Sequence, residues 1–240
     1  MKTKVFIPFL LFLQLFLLSG CLYPQKELSK NQIAYQDQLD SVQSAIEQFQ
    51  KDSNGLLPIK TRDMKTPLYQ KYPIDFTKVV PRYIAEPPGT AYENGGVYLY
   101  VLTDVEEDPT VKLMDVRISE KIRDLKMNVM VYRQKNGYPP YKELITNTVY
   151  TLDHKKLGLE EAPQVRSPIS GELLPLVIDN QGEVYVDYRI DLFKIIKNNN
   201  LQLKQGEDIL DIIPENSQFV PAHSLPYTVN EKNEPIFLEK

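Results

Sequence analysis

The sequence predicts an α+β protein, and three observations carry that reading. Two stretches space their apolar residues three and four apart, the period of a helix with one buried face. Short runs rich in valine, isoleucine and tyrosine, bounded by glycine, proline or asparagine, read as strands of antiparallel sheet. The 18 prolines of the 240 residues fall mostly in the connections, so the loops are long and stiff rather than polar and loose. The expected architecture is two helix-loop-strand modules, residues 31–117 and 118–240, the second with a C-terminal extension that closes in a hairpin. An N-terminal leader (1–20) and a short spacer (21–30) precede them.

The leader has three parts. Met1, Lys2, Thr3 and Lys4 form a basic start, residues 5–18 are apolar except for Gln14, and Ser19 and Gly20 precede Cys21, the one cysteine of the chain. Fourteen residues make about 21 Å of helix, short of the roughly 30 Å hydrocarbon layer, so a secretory signal is favoured over a retained membrane span. Leu18-Ser19-Gly20-Cys21 resembles the lipobox of bacterial lipoproteins. That resemblance implies cleavage between Gly20 and Cys21 and a diacylglyceryl thioether on the Cys21 sulfur. Two acyl chains of palmitate length hold a protein stably on a bilayer, where one chain binds only reversibly. The partner expected first is therefore the membrane itself, on its extracytoplasmic side.

Removal of the leader would take Lys2 and Lys4 from the 28 basic residues and leave the 32 acidic ones, a net charge of about −6. A nucleic-acid partner calls for a basic stripe, and none is present. With Cys21 carrying lipid, no thiol is left for a disulfide, and stability has to come from packing. Nine or ten spacer residues reach at most about 33 Å when extended, which keeps the folded part near the bilayer.

In chain order, Leu39, Val42, Ile46 and Phe49, with Ile33 and Tyr35 ahead of them, mark a helix from Asn31 to about Asp52, stopped by Asn54-Gly55 and Pro58. Residues 56–92 read as ordered loop around one short element at Ile74 to Val80. Gly95-Gly96 opens a strand at Val97 to Leu102, an acidic turn follows at Asp104 to Asp108, and a second strand at Val111 to Val116. A second helical stripe runs through Ile118, Ile122, Leu125, Val129 and Tyr132 to Asn136-Gly137. Later elements are short helices at Asp191 to Lys197 and Glu207 to Ile213, and a hairpin of Leu225 to Val229 with Pro235 to Leu238 around Asn230 to Asn233.

The two halves share punctuation. Asn54-Gly55 before Pro58 parallels Asn136-Gly137 before Pro140, Tyr72-Pro73-Ile74-Asp75 parallels Tyr150-Thr151-Leu152-Asp153, and the strand after Gly96 parallels the strand after Gly182. Internal duplication is one reading; recurrent turn chemistry is the other. A helix ending in Asn-Gly and then proline, a loop, and a glycine turn into a tyrosine strand is similar to the soluble part of pseudopilins. The lipobox stands where those proteins carry a peptidase site and an assembly helix, so the resemblance does not imply a filament.

Catalytic chemistry has little to stand on. His154 and His223 are the two histidines; there is no His-Glu-x-x-His, no Gly-x-Ser-x-Gly elbow and no phosphate-binding glycine loop. Carboxylates abound, but a glycosidase-type pair is defined by separation across a cleft and not by sequence. Asp104 to Asp108, and Asp179, Asn180 and Glu183 around Gly182, are weak calcium candidates that fall short of a full calcium-loop spacing, and no resident metal or cofactor is expected.

Compared as a whole, Cys21-Leu22-Tyr23-Pro24, Gly55-Leu56-Leu57-Pro58-Ile59-Lys60-Thr61, Tyr72-Pro73-Ile74-Asp75-Phe76, Phe219-Val220-Pro221-Ala222 and Ser224-Leu225-Pro226-Tyr227-Thr228 resemble uncharacterised lipoproteins of Bacillus-type bacteria, the YphF-like group. The resemblance implies a Gram-positive cell membrane and brings no known activity. The expected function is a non-catalytic binding or scaffold protein of the cell envelope with an envelope protein as partner. The alternatives are a pseudopilin-like subunit of a secretion or assembly apparatus, and a hydrolase with a hidden carboxylate site.

Overall fold

The computed structural model describes residues 25–239, with side chains from Tyr35 onward. The leader, the lipobox Leu18-Ser19-Gly20-Cys21 and the first part of the spacer lie outside the described residues. The chain divides after Gln38, and Leu39–Lys240 forms one compact unit.

Helix α1 runs Gln25–Asp52, so the latter part of the expected extended spacer is helical. After Pro24 no residue there opposes a helix: Gln25, Lys26, Glu27, Leu28 and Lys30 are strong helix formers, and proline is tolerated just ahead of a first turn. Its buried face is Leu39, Val42, Ala45 and Ile46. Gln43 fastens it to the sheet, accepting from the Val111 amide at 2.8 Å and donating to the Pro109 carbonyl at 3.0 Å. The helix ends where Asn54 (φ 55°) and Gly55 (φ 87°) turn left-handed.

The next 40 residues look irregular in sequence but are tied into a sheet. α2 (Leu68–Lys71) and α3 (Phe76–Val79) flank an extended stretch in which Ile74 pairs with Ile59, and Pro73 with Val101. Ile74 donates to the Tyr100 carbonyl and Leu102 to the Tyr72 carbonyl, each at 2.9 Å. β1 (Tyr98–Thr103) is buried at every position and pairs antiparallel with β2 (Thr110–Asp115), from which the chain passes directly into α4 (Val116–Asn136).

The same course is then repeated. α4 buries Ile118, Ile122, Leu125 and Val129 and ends at Gly137 (φ 83°). β3 (Tyr141–Leu144) pairs with β4 (Val149–Leu152) as Ile59 pairs with Ile74; Asp153 donates to the Pro140 carbonyl at 2.8 Å, as Asp75 does to Pro58 at 2.7 Å. β6 (Leu173–Asp179) then plays the part of β1. Its C-terminal half pairs with both β4 and β7 (Val184–Val186), and its N-terminal half with β5 (Gln164–Arg166). After β7 comes α5 (Arg189–Asn198), as α4 follows β2. The expected likeness of the strands after Gly96 and Gly182 therefore needs correcting: the first opens its hairpin and the second closes it. The better equivalence is Asp115-Val116-Arg117-Ile118 with Asp187-Tyr188-Arg189-Ile190, each at a strand-to-helix junction.

The chain then returns past β2 and β7. Phe219 bridges Leu113 of β2, and Ser224 bridges Val186 of β7. Val220 and Ala222 pack with Tyr69, Leu99, Val101 and Met114, so residues of the second sequence module complete the core of the first. The helix expected at 207–213 lies later, as α6 (Ile212–Asn216). Pro214 sits in its first turn, where the missing N–H costs no bond, so it starts this helix rather than ending one. β8 (Tyr227–Val229) and β9 (Pro235–Phe237) form the expected hairpin. Its turn copies that of β6–β7: Asn230 Oδ1 accepts from Lys232 and Glu234 as Asp179 Oδ1 accepts from Gln181 and Glu183, with Asn233 (φ 58°) in the place of Gly182 (φ 91°).

Candidate functional site

A cavity of about 480 Å³ opens between α2, the β1–β2 turn and α6, within the usual size range of small-ligand sites. Its apolar part comes from Leu68, Tyr69, Tyr72, Leu102, Val105 and Pro214. Tyr69 and Leu102 are buried because they also belong to the packed interior, whereas Leu68 is 59% exposed.

The charges of the lining are one-sided: Asp104, Glu106, Glu107, Asp211 and Glu215 against Lys112. Lys112 faces inward for a local reason. It lies between the buried Val111 and Leu113, and its Nζ donates to the carbonyls of Pro214 and Ser217, at 2.5 and 2.9 Å. That bond pair staples β2 to α6. Burial pushes the Lys112 ammonium below its ordinary pKa, with Asp104 acting in the opposite direction. Tyr69 donates a short hydrogen bond to Asp211, and burial together with that carboxylate pushes the phenol far above its usual range. Tyr69 is thus a fixed donor that keeps its proton throughout the physiological range.

The acidic turn is shaped by Asp104, left-handed at φ 49°, whose carbonyl accepts from Glu107 and Asp108 at 3.2 and 3.0 Å. The turn holds Glu106 and Glu107 at the mouth. The stretch Asp104 to Asp108, picked out in sequence for oxygen ligands, is therefore part of a cavity wall. Asp211, Pro214 and Glu215, 100 residues further on, carry no sequence signal that links them to it.

The other candidates sit elsewhere. Asp179, Asn180 and Glu183 form the β6–β7 turn, and their oxygens are engaged there. Asp179 accepts from two turn amides at 2.9 and 2.8 Å and from Tyr185 at 3.2 Å; the Asn180 carbonyl accepts from Tyr141 at 3.0 Å; Glu183 pairs with Lys126 at 2.5 Å. Among the described residues, no three His, Cys, Asp or Glu side chains gather as a metal site. His223 is half-buried, left-handed at φ 57°, and shares a 2.8 Å hydrogen bond with Ser119; partial burial, helped by Lys126, pushes its pKa down to about 4. Asp191 is fully buried and accepts from Ser167 at 2.7 Å and from Ser170. Neither pair lines the cavity. Cys21 and Gly20 lie outside the described residues, and among those described no helix is long and apolar enough to cross a membrane.

The cavity joins two parts of the chain with different standing among known proteins. No curated protein and no solved structure matches the chain. Residues 35–115, which supply α2, both strands and the acidic turn of the cavity wall but not α6, match the YphF family N-terminal domain, and in that part the chain is YphF-like.

Proposed function

We propose that the protein is a non-catalytic binding protein of the cell envelope, held on the extracytoplasmic face of the cell membrane by lipid on Cys21, with the cavity beside Tyr69 as its binding surface. The observation that supports binding is the state of the polar groups in the cavity. Tyr69 and Lys112 are committed to Asp211 and to two main-chain carbonyls, which builds the walls, while the exposed apolar and acidic groups at the mouth remain for a partner. The support for the address is the Leu18-Ser19-Gly20-Cys21 motif.

Two experiments test the two halves of the proposal. Cys21→Ala should leave an unprocessed, unlipidated chain, and a variant that still fractionates as mature membrane-anchored protein would overturn the anchor. For the binding surface, a photo-crosslinking amino acid is placed at Leu68 in living cells, with one at Lys155 on a distant turn as control. The Leu68 position should yield a defined adduct absent from the control; identical patterns would remove the cavity from the proposal.

A further inference from the structure

We propose that the outer face of α4 lies on the anionic surface of the membrane that carries the lipid anchor, with Met127, Met130 and Val131 entering the interface. This rests on the anchor at Cys21 proposed above. α4 buries Ile118, Ile122, Leu125 and Val129 on one side. At about 100° per residue Met127 stands almost opposite that stripe, with Met130 and Val131 three and four positions on as its neighbours. They are 55, 46 and 42% exposed. A helix with one core face ordinarily carries polar residues on the other, so three large apolar side chains grouped there call for an apolar surrounding. Tyr138, also exposed, extends the patch: its ring meets Tyr132 edge-on at 6.0 Å, and Tyr132 and Val131 line one shallow concavity of about 370 Å³.

Charge and size select the occupant. From Lys126 to Asn136 the helix carries Lys126, Arg133 and Lys135 and no acid, in a chain that is acidic as a whole. Lys126 pairs with Glu183 and Arg133 donates to the Gln181 carbonyl, whereas Lys135 has no carboxylate within ion-pair distance among the described residues. Lys156 lines the same concavity as Lys135; its ammonium lies 6.0 Å from the Tyr138 ring centroid and 3.4 Å from Asp153. Lysines that reach headgroup phosphates, tyrosines at the boundary and an apolar ridge beyond them are the layers of a surface that rests on anionic lipid. The four apolar and aromatic side chains, each about half exposed, fall far short of the roughly 800 Å² per partner that a stable protein complex buries, so they would not hold a second copy or a free protein. A bilayer needs no such area when the protein is already tethered to it, because docking is then intramolecular. Cys21 lies 18 residues before Leu39, where the compact unit begins, so that unit starts within about 60 Å of the bilayer even if the connection were fully extended.

The test uses the lipidated chain purified from membranes, in which the Cys21 sulfur is a thioether and Met130→Cys supplies the free thiol for a polarity-sensitive fluorophore. Met64→Cys, on the exposed loop before α2, carries the same label as reference. Each is reconstituted into vesicles of phosphatidylcholine alone and of phosphatidylcholine with about one-third phosphatidylglycerol. On the anionic vesicles only, the Met130 label should brighten about threefold and shift to the blue, and the gain should shrink as salt is raised. Lys135→Gln/Lys156→Gln, both on the surface and away from the core, should lose most of the gain, and the Met64 label should not respond. Equal emission from the Met130 label on both vesicles, an equal gain at Met64, or a gain that survives the lysine variant overturns the docking face. Flotation of the same samples reports the anchor separately. Chains that float with both vesicles while the Met130 label stays in water keep the anchor and discard the face; chains that float with neither overturn both.

Discussion

Arg189 holds the buried carboxylate of Asp187 at two points, Nε on Oδ1 at 2.9 Å and Nη2 on Oδ2 at 2.6 Å, where β7 turns into α5. Arg117 and Asp115 form the same fork where β2 turns into α4, at 2.9 and 2.5 Å. In both, the aspartate also accepts from the arginine's own amide, so one carboxylate caps the junction and neutralises its neighbour.

The two forks differ in their surroundings, and that sets the first prediction. Arg189 lies over the Phe237 ring at 4.8 Å and its side chain is 36% exposed, against 59% for Arg117. Asp187→Ala strips a partly buried guanidinium of its partner and should cost about 3 kcal/mol in urea unfolding. Asp115→Ala makes the same change beside a guanidinium that is mostly in water and should cost less, about 2 kcal/mol, chiefly the lost cap. Equal costs would mean that exposure does not govern these pairs.

Gly96 gives a second. A Cβ there would lie 2.1 Å from the Thr90 carbonyl carbon and oxygen, which are main-chain atoms that cannot rotate away. Gly96→Ala should therefore destabilise by several kcal/mol, beyond the ordinary cost of a surface change. Gly95, at φ 80° with open space around its Cα, should accept asparagine for less than about 1 kcal/mol. Thermal unfolding of the two variants separates close approach from backbone strain.

These positions show what the sequence carries. The stripes Leu39, Val42, Ile46 and Ile118, Ile122, Leu125, Val129 are buried as their period requires, and the terminal hairpin lies where its turn residues place it. β6, the central strand of its sheet, is hidden by Pro175, which breaks the look of a strand although its carbonyl still accepts from Asp187. The cavity is half legible: the acidic run from Asp104 shows in the sequence, but its pairing with Asp211 and Glu215 depends on a chain return of about 100 residues. Hydrophobic period reports which face is buried and says nothing of which distant segment covers it.

Asp191 supplies a third prediction. Burial raises its pKa, and the hydrogen bonds from Ser170 and Ser167 only partly offset that. The fold thus prefers the protonated acid, so this group lowers stability as pH rises above the ordinary carboxylate range. Asp191→Asn removes the titration. Its stability relative to the parent should improve as pH rises above the ordinary carboxylate pKa and level off once the folded-state carboxyl is ionised; a difference that stays flat would show that the serine bonds fully compensate burial.

His223 acts with the opposite sign. Its pKa falls from the ordinary 6.5 to about 4 because burial, and then the Lys126 charge, disfavour the imidazolium. Between those values the unfolded chain binds the proton and the folded chain does not, so stability rises with pH across that window and is lost as pH falls through it. A shift of this size corresponds to about 3 kcal/mol between pH 7 and pH 4. His223→Asn keeps a residue suited to φ 57° and cannot titrate; it should lose the Ser119 bond, about 1 kcal/mol at pH 7, and yet unfold less steeply on acidification. If parent and variant keep parallel stability curves from pH 7 to pH 4, the acid sensitivity lies in the carboxylates and not in this imidazole.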